Sequence, residues 1–343
     1  MHASSRLDDQ LRALFARVSV DARYRAIIAD FFHGYLAATA DAPGTAAARD
    51  RLVTQYLDLL ADQFERPFTF APYHEHITAP FDYYTFGIEF LRPLVDETRS
   101  SVRGLDELAR AAEALARGEN VVFFANHQTE GDPQAISLLL EHSQPAMARA
   151  MIFVAGGRVL TDPLAVPFSM GRNLLCVYSK RYMDQPPSDR AAKQRHNRKT
   201  MEIMARLLAE GGRCIYVAPS GGRDRPGTDG RVEVAPFDPQ SIEMFVLMAR
   251  RSGRPCHFYP MALATYDMLP PPDTIQVELG ERRLTRRSPI HLAVGAAVDV
   301  DRFAGHDLPD AAARRQARAV AIHDRVCADY RELTRRERSP RHA

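Results

Sequence analysis

The amino-acid sequence predicts an α/β fold: a small N-terminal helical bundle followed by a larger α/β domain with a mixed, mostly parallel sheet flanked by helices. Three observations carry that expectation. Apolar residues recur at helical spacing through the first seventy positions. After about residue 75 the texture changes to short β-branched and aromatic runs alternating with helices. A chain of 343 residues, 45% hydrophobic and 26% charged, is long and apolar enough for more than one core. The same composition argues against a disordered chain, and the lack of an eighteen-residue apolar run argues against an integral membrane protein.

The N-terminal stripes are Leu7, Leu11, Leu14, Phe15 and Val18, then Ile27, Ile28, Phe31, Phe32, Tyr35 and Leu36, then Leu52, Tyr56, Leu59, Leu60 and Phe64. The turn Asp41 to Gly44 ends the second helix and Pro67 the third, and an extended segment runs on to Tyr73. Three stripes need a fourth element to close their core. The bundle is placed at residues 1–75 and the α/β domain at 76–343. In the second part, strands are expected at 120–125, 151–155, 174–178, 214–218, 257–263, 274–279 and 290–294, because apolar runs of this length bounded by Gly and Pro read as buried strands. Helices are expected over 104–118, 133–142, 188–210 and 309–336, the last rich in arginine.

The chemistry is expected at the loop Asn126 to Pro133, between a strand and a helix, where open α/β sheets place their ligands. Pro133 suits the first helical position, which makes Asp132 the expected N-cap. A carboxylate has lone pairs enough to cap a helix and also to accept the N–H of His127, leaving the other ring nitrogen as a base toward a hydroxyl. About one His-x₄-Asp spacing is expected by chance in such a chain, so the spacing gains weight only from its surroundings. Two basic loops supply them. In Pro219 to Arg225, Arg223 and Arg225 stand beside a glycine pair, and residues two apart on an extended chain project to one side, a geometry suited to forked contacts with a phosphate. In Tyr178 to Tyr182, Lys180 and Arg181 also follow a strand, so all three loops should converge on one cleft.

The segments NHQTEGDPQAISLLLE, VAGGRVLTDPLAVPFSMGRNLLCVYSKRYM, APSGGRDRP and YPMALATYDMLPPP, in this order, resemble the blocks of the soluble, plastid-type glycerol-3-phosphate acyltransferases, within the His-x₄-Asp glycerolipid acyltransferases. The resemblance covers roughly residues 67 to 283. It implies transfer of an acyl group from acyl carrier protein or coenzyme A to the sn-1 hydroxyl of glycerol 3-phosphate, giving lysophosphatidic acid, with no cofactor and no metal. It implies His127 and Asp132 as catalytic residues and Arg223 and Arg225 as phosphate ligands. The family's remaining phosphate contacts are a Lys-His pair, and here Arg181-Tyr182 stands in that place, with Lys180 beside it. Gly131 is a second departure, where Ala is common. A lysophosphatidic acid acyltransferase, or a non-catalytic module binding phosphometabolites or anionic lipid, stays open as an alternative.

Net charge is +2, which gives no global field for nucleic acid. Of 45 basic residues only Lys180, Lys193 and Lys199 are lysines. The basic start of the helix at 188–210 is a candidate face for an acidic carrier protein, since like charges three or four apart repel. Phe168, Met170 and Pro270 to Pro272 are candidate borders of an acyl pocket. The dispersed cysteines, Cys176, Cys214, Cys256 and Cys327, point to a reducing compartment, and with the N-terminal composition lead to a cytoplasmic expectation, with transient membrane-surface contact through the basic C-terminal helix.

Overall fold

The computed structural model describes residues 2–179, 183–272 and 281–335. The N-terminal stripes fold as α1 (His2–Arg17), α2 (Ala22–Ala38) and α3 (Ala46–Glu65). Asp21 and Thr45 start the second and third by accepting from the N–H groups of Tyr24 and Ala48, donors that would otherwise lack a partner at a helix start. The missing fourth element is α4 (Tyr83–Leu91). Its Phe90 stacks on Tyr35 at 4.2 Å and meets Tyr56 edge-on at 4.9 Å. This core extends to Ala135, Leu138, Leu164, Met268 and Ile290, so the bundle shares its apolar centre with the α/β part.

The main sheet comprises β1 (Tyr73–His74), β2 (Ser101–Arg103), β3 (Asn120–Ala125), β4 (Ile152–Gly156), β5 (Asn173–Val177) and β6 (Cys214–Val217), together with two later strands. Between β6 and those two lies a separate hairpin, β7 (Arg225–Pro226) with β8 (Val232–Glu233). The later strands are β9 (Cys256–Ala264) and β10 (His291–Val294). The order is β1-β5-β4-β6-β3-β9-β10-β2. The five strands β5, β4, β6, β3 and β9 are mutually parallel, while β1 and β10 pair antiparallel with β5 and β9. The mixed, mostly parallel sheet is therefore as expected; the run expected at 274–279 lies outside the described residues.

Alternate residues of a strand face opposite sides, and these buried runs feed two cores. Val121, Phe123 and Ala125 enter one, beneath α5 (Leu105–Ala116), α6 (Asp132–Leu140), α7 (Pro145–Ala150) and, after the short α8 (Gly157–Thr161), α9 (Val166–Met170). Val122 and Phe124 enter the other, beneath α10 (Arg190–Glu210), α11 (Pro239–Ser252) and α12 (Ala311–Arg335). The apolar side of α12, with Ile322, Val326 and Tyr330, is buried there, so only its polar side is available to a membrane surface. The start of α5 requires glycine: Gly104 has φ +74°, and a Cβ would run into the Val294 carbonyl. The five parallel strands end on one edge, so the loops after β3, β4, β6 and β9 must meet there.

Candidate active site

His127 follows β3, the middle strand of the β6-β3-β9 group. Its Nδ1 lies 2.8 Å from Asp132 Oδ2. An ionised carboxylate only accepts, so Nδ1 carries the proton and Nε2 is the lone-pair nitrogen. The His127 side chain keeps 31% of its surface open, whereas Asp132 is buried. Asp132 is not the N-cap. Gly131 occupies that position, and the Asp132 carboxylate turns back into the loop, accepting from the N–H groups of Gln128 at 2.8 Å and Thr129 at 3.2 Å and from the Thr129 hydroxyl at 3.1 Å. The Thr265 hydroxyl, just beyond β9, donates to it at 2.6 Å. Burial alone would raise this carboxyl; the His127 ring, Thr265 and the Gln128 N–H hold it below the ordinary range. The N–H groups of Gly131 and Asp132 are engaged by the Thr129 hydroxyl and carbonyl.

The loop after β6 is tied to the same place. Asp224 N–H donates to the His127 carbonyl at 2.7 Å, and Gly221, at φ +65°, makes the turn that leads there. The Asp224 side chain is buried and meets only donors: Asn126 Nδ2 at 2.7 Å, Gln128 Nε2 at 3.3 Å and Ala235 N–H at 3.0 Å. Burial nevertheless pushes it up to about 6. Asn126 also bonds both backbone groups of Leu263, and Gln128 Oε1 accepts from the N–H of Thr265. Buried amide side chains thus lash the ends of β3, β6 and β9 together, fixing the ring and the arginine loop relative to each other.

Arg223, on that loop, is 14% exposed and reaches two acids: Glu281, 2.7 Å from Nη2, and Glu130, 3.8 Å from Nη1. Arg158, in α8 just after β4, pairs with the same Glu281. Glu130 also pairs with buried Arg283 at 2.9 Å, and Arg283 with Asp162 at 3.1 Å. The Tyr24 hydroxyl of α2 donates to Asp162 at 2.5 Å, linking the helical bundle to the site. Arg225 is partly buried at the start of β7. The remaining sequence candidates, Lys180, Arg181 and Tyr182, lie outside the described residues.

Residues 101–264 match the acyltransferase family profile. The chain is 42% identical over 283 residues to the chloroplastic glycerol-3-phosphate acyltransferase ATS11 of Cucurbita moschata, covering 82% of this chain and 63% of that protein. It is 39% identical over 294 residues to the chloroplastic glycerol-3-phosphate acyltransferase of Arabidopsis thaliana, covering 84% and 64%. This chain is similar to acyltransferases over most of its length. It spans less than two thirds of the length of these curated relatives. A solved 1-acyl-sn-glycerophosphate acyltransferase, PlsC of Thermotoga maritima, aligns over 74% of this chain and 78% of its own, with TM-score 0.37 and 17% identity. The acyltransferase relatives overturn the cytoplasmic expectation, since they are named chloroplastic. Cysteine spacing reports redox conditions and cannot distinguish one reducing compartment from another.

Sequence reasoning missed Asn126, Gln128, Asp224, Thr265 and the ionic chain from Arg158 to Asp162. An acid between two arginines, as in Arg223-Asp224-Arg225, was a readable sign of an inward-turned carboxylate; Thr265, 133 residues from Asp132, had none. Phe168 and Met170 prove to be packing residues. Phe168 lies 5.1 Å from Tyr56 and 5.6 Å from Phe86, and Met170 is buried. Part of the charge on α10 is matched internally, with Lys193 donating to the Gln185 carbonyl, Arg190 facing Asp184 and Lys199 facing Glu202.

Proposed function

We propose that this chain is a glycerol-3-phosphate 1-O-acyltransferase. His127, oriented by Asp132, takes the proton of the sn-1 hydroxyl through Nε2 as the oxygen attacks the acyl thioester carbonyl. The thiolate leaves and lysophosphatidic acid is formed. The acceptor is itself the nucleophile, so the reaction needs no acyl-enzyme. Arg223 and Arg225 hold the phosphate, and the resemblance adds Lys180, Arg181 and Tyr182 to that set. Fixing the phosphate makes the attack effectively unimolecular. The observation that carries this reading is the junction of the two loops, with the ring on its carboxylate at 2.8 Å and the arginine loop bonded to the His127 carbonyl at 2.7 Å. The donor is an acyl thioester of acyl carrier protein or coenzyme A, and exposed arginines of α10 such as Arg195 and Arg198 suit an acidic carrier. Residues 1–75 and 76–343 are taken as the helical and catalytic domains.

Release of free thiol from an acyl thioester tests the proposal in three parallel reactions, with glycerol 3-phosphate, with lysophosphatidic acid and with neither. Release with glycerol 3-phosphate alone is expected. Release only with lysophosphatidic acid, or none despite binding of glycerol 3-phosphate, contradicts it.

A further inference from the structure

Glu281 carries a carboxylate enclosed beside the arginine loop, with 1% of its side chain exposed. Neither the motif nor the resemblance gives it a role. A buried carboxylate is costly unless paired, and this one accepts from two guanidiniums, Arg223 at 2.7 Å and Arg158. One arrives from the loop after β6 and the other from α8, which follows β4, so Glu281 joins the two. Its bond engages one edge of the Arg223 fork, the Nη2 side, and a guanidinium has five N–H donors. Three guanidiniums (Arg158, Arg223, Arg283) meet three carboxylates (Glu130, Glu281, Asp162), so the cluster is balanced. It therefore contributes direction to Arg223 more than it contributes field.

We infer that Glu281 is a positioning residue for the acceptor's phosphate, fixing the direction of the Arg223 guanidinium through Nη2 so that its N–H donors not hydrogen-bonded to a carboxylate meet the anion already oriented. The inference rests on the proposed acyl transfer to glycerol 3-phosphate. Arg223 follows a glycine pair whose first member has positive φ, a backbone that does little to restrict the side chain; the two carboxylates supply the restriction.

The test is Glu281→Gln, which keeps the shape but removes the charge and sets an amide N–H₂ against a guanidinium. The expected result is a KM for glycerol 3-phosphate raised about tenfold, with the kcat at saturating acceptor and the thioester KM changed less than twofold. In an Arg223→Ala background the same substitution should add less than twofold, because its effect passes through Arg223. Glu281→Asp, which retains the charge, should recover part of the loss. A lowered KM overturns the inference, since it would make Glu281 a competitor of the phosphate. Equal loss in both backgrounds, or a fallen thermal midpoint with an unchanged KM, also overturns it by reducing Glu281 to a structural role. If the wild-type chain does not turn over glycerol 3-phosphate, the functional reading fails separately. Calorimetric binding of inorganic phosphate then decides the inference, with about tenfold weakening in Glu281→Gln supporting it and equal affinity overturning it.

Discussion

The carboxyl edge of the sheet and the N-terminal helical core are both buried and lie next to each other, yet they are held by different physics. In the helical core, Phe31, Phe32, Tyr35, Tyr56 and Phe90 touch ring against ring, and their energy comes from area and shape. At the edge, Asn126, Gln128, Thr129, Asp132, Asp224 and Thr265 are equally inaccessible and polar, and each is satisfied by named partners. A close-packed apolar region tolerates substitutions that conserve volume, whereas a polar lattice fails when a donor replaces an acceptor of the same shape. Function should therefore be lost at the edge without unfolding, and stability lost in the core without loss of chemistry.

The sharpest contrast is His127→Ala. Removing a base that is partly open to solvent should lower kcat by about a thousandfold, within the range general-base catalysis supplies, and leave the thermal midpoint nearly unchanged. Retention of a tenth of the wild-type kcat would break the contrast on its functional side. Phe90→Ala should do the reverse. Truncating this buried ring should cost about 3–5 kcal/mol in denaturant unfolding, with kcat/KM preserved wherever the chain stays folded. A large fall in kcat/KM would mean that the bundle and the edge are one functional unit.

A smaller effect concerns pH. Asp224 has a folded-state pKa of about 6 against an ordinary 3.8. The folded chain therefore binds that proton more tightly than the unfolded chain, and stability from this group falls as pH rises from 4 toward 6. The span corresponds to about 3 kcal/mol. Asp224→Asn cannot ionise, so the stability difference between variant and wild type should move in the variant's favour by roughly that amount between pH 4 and 7. A difference that does not vary with pH would show that the carboxylate is not held in an unfavourable burial.

Much of this division was legible beforehand, for a physical reason. Periodicity reports which face of an element is apolar, so the stripes of α1 to α3 and the alternation in β3 were readable, as was the His127 loop between strand and helix. Asp132 was given its bond to His127 as the structure shows it but was wrongly made the helix cap, because a proline at the next position is compatible with a cap and equally with a carboxylate folded back on its own loop. Thr265, Glu281 and Arg283 reach the site through strand order alone. No local pattern reports which strand ends become neighbours, and β9 enters the sheet beside β3 only after β4, β5 and β6 have been placed on the other side.

The central claim is that the ring and the Arg223 loop act on two ends of one acceptor. The direct measurement is the ratio of kcat/KM for glycerol 3-phosphate to that for glycerol, in the wild type and in Arg223→Ala. The account predicts a wild-type ratio above about a thousand, falling at least tenfold in the variant, with activity on glycerol itself little changed, since charge-assisted forks contribute only when a phosphate is present. An unaltered ratio, or an equal loss on both acceptors, would contradict it.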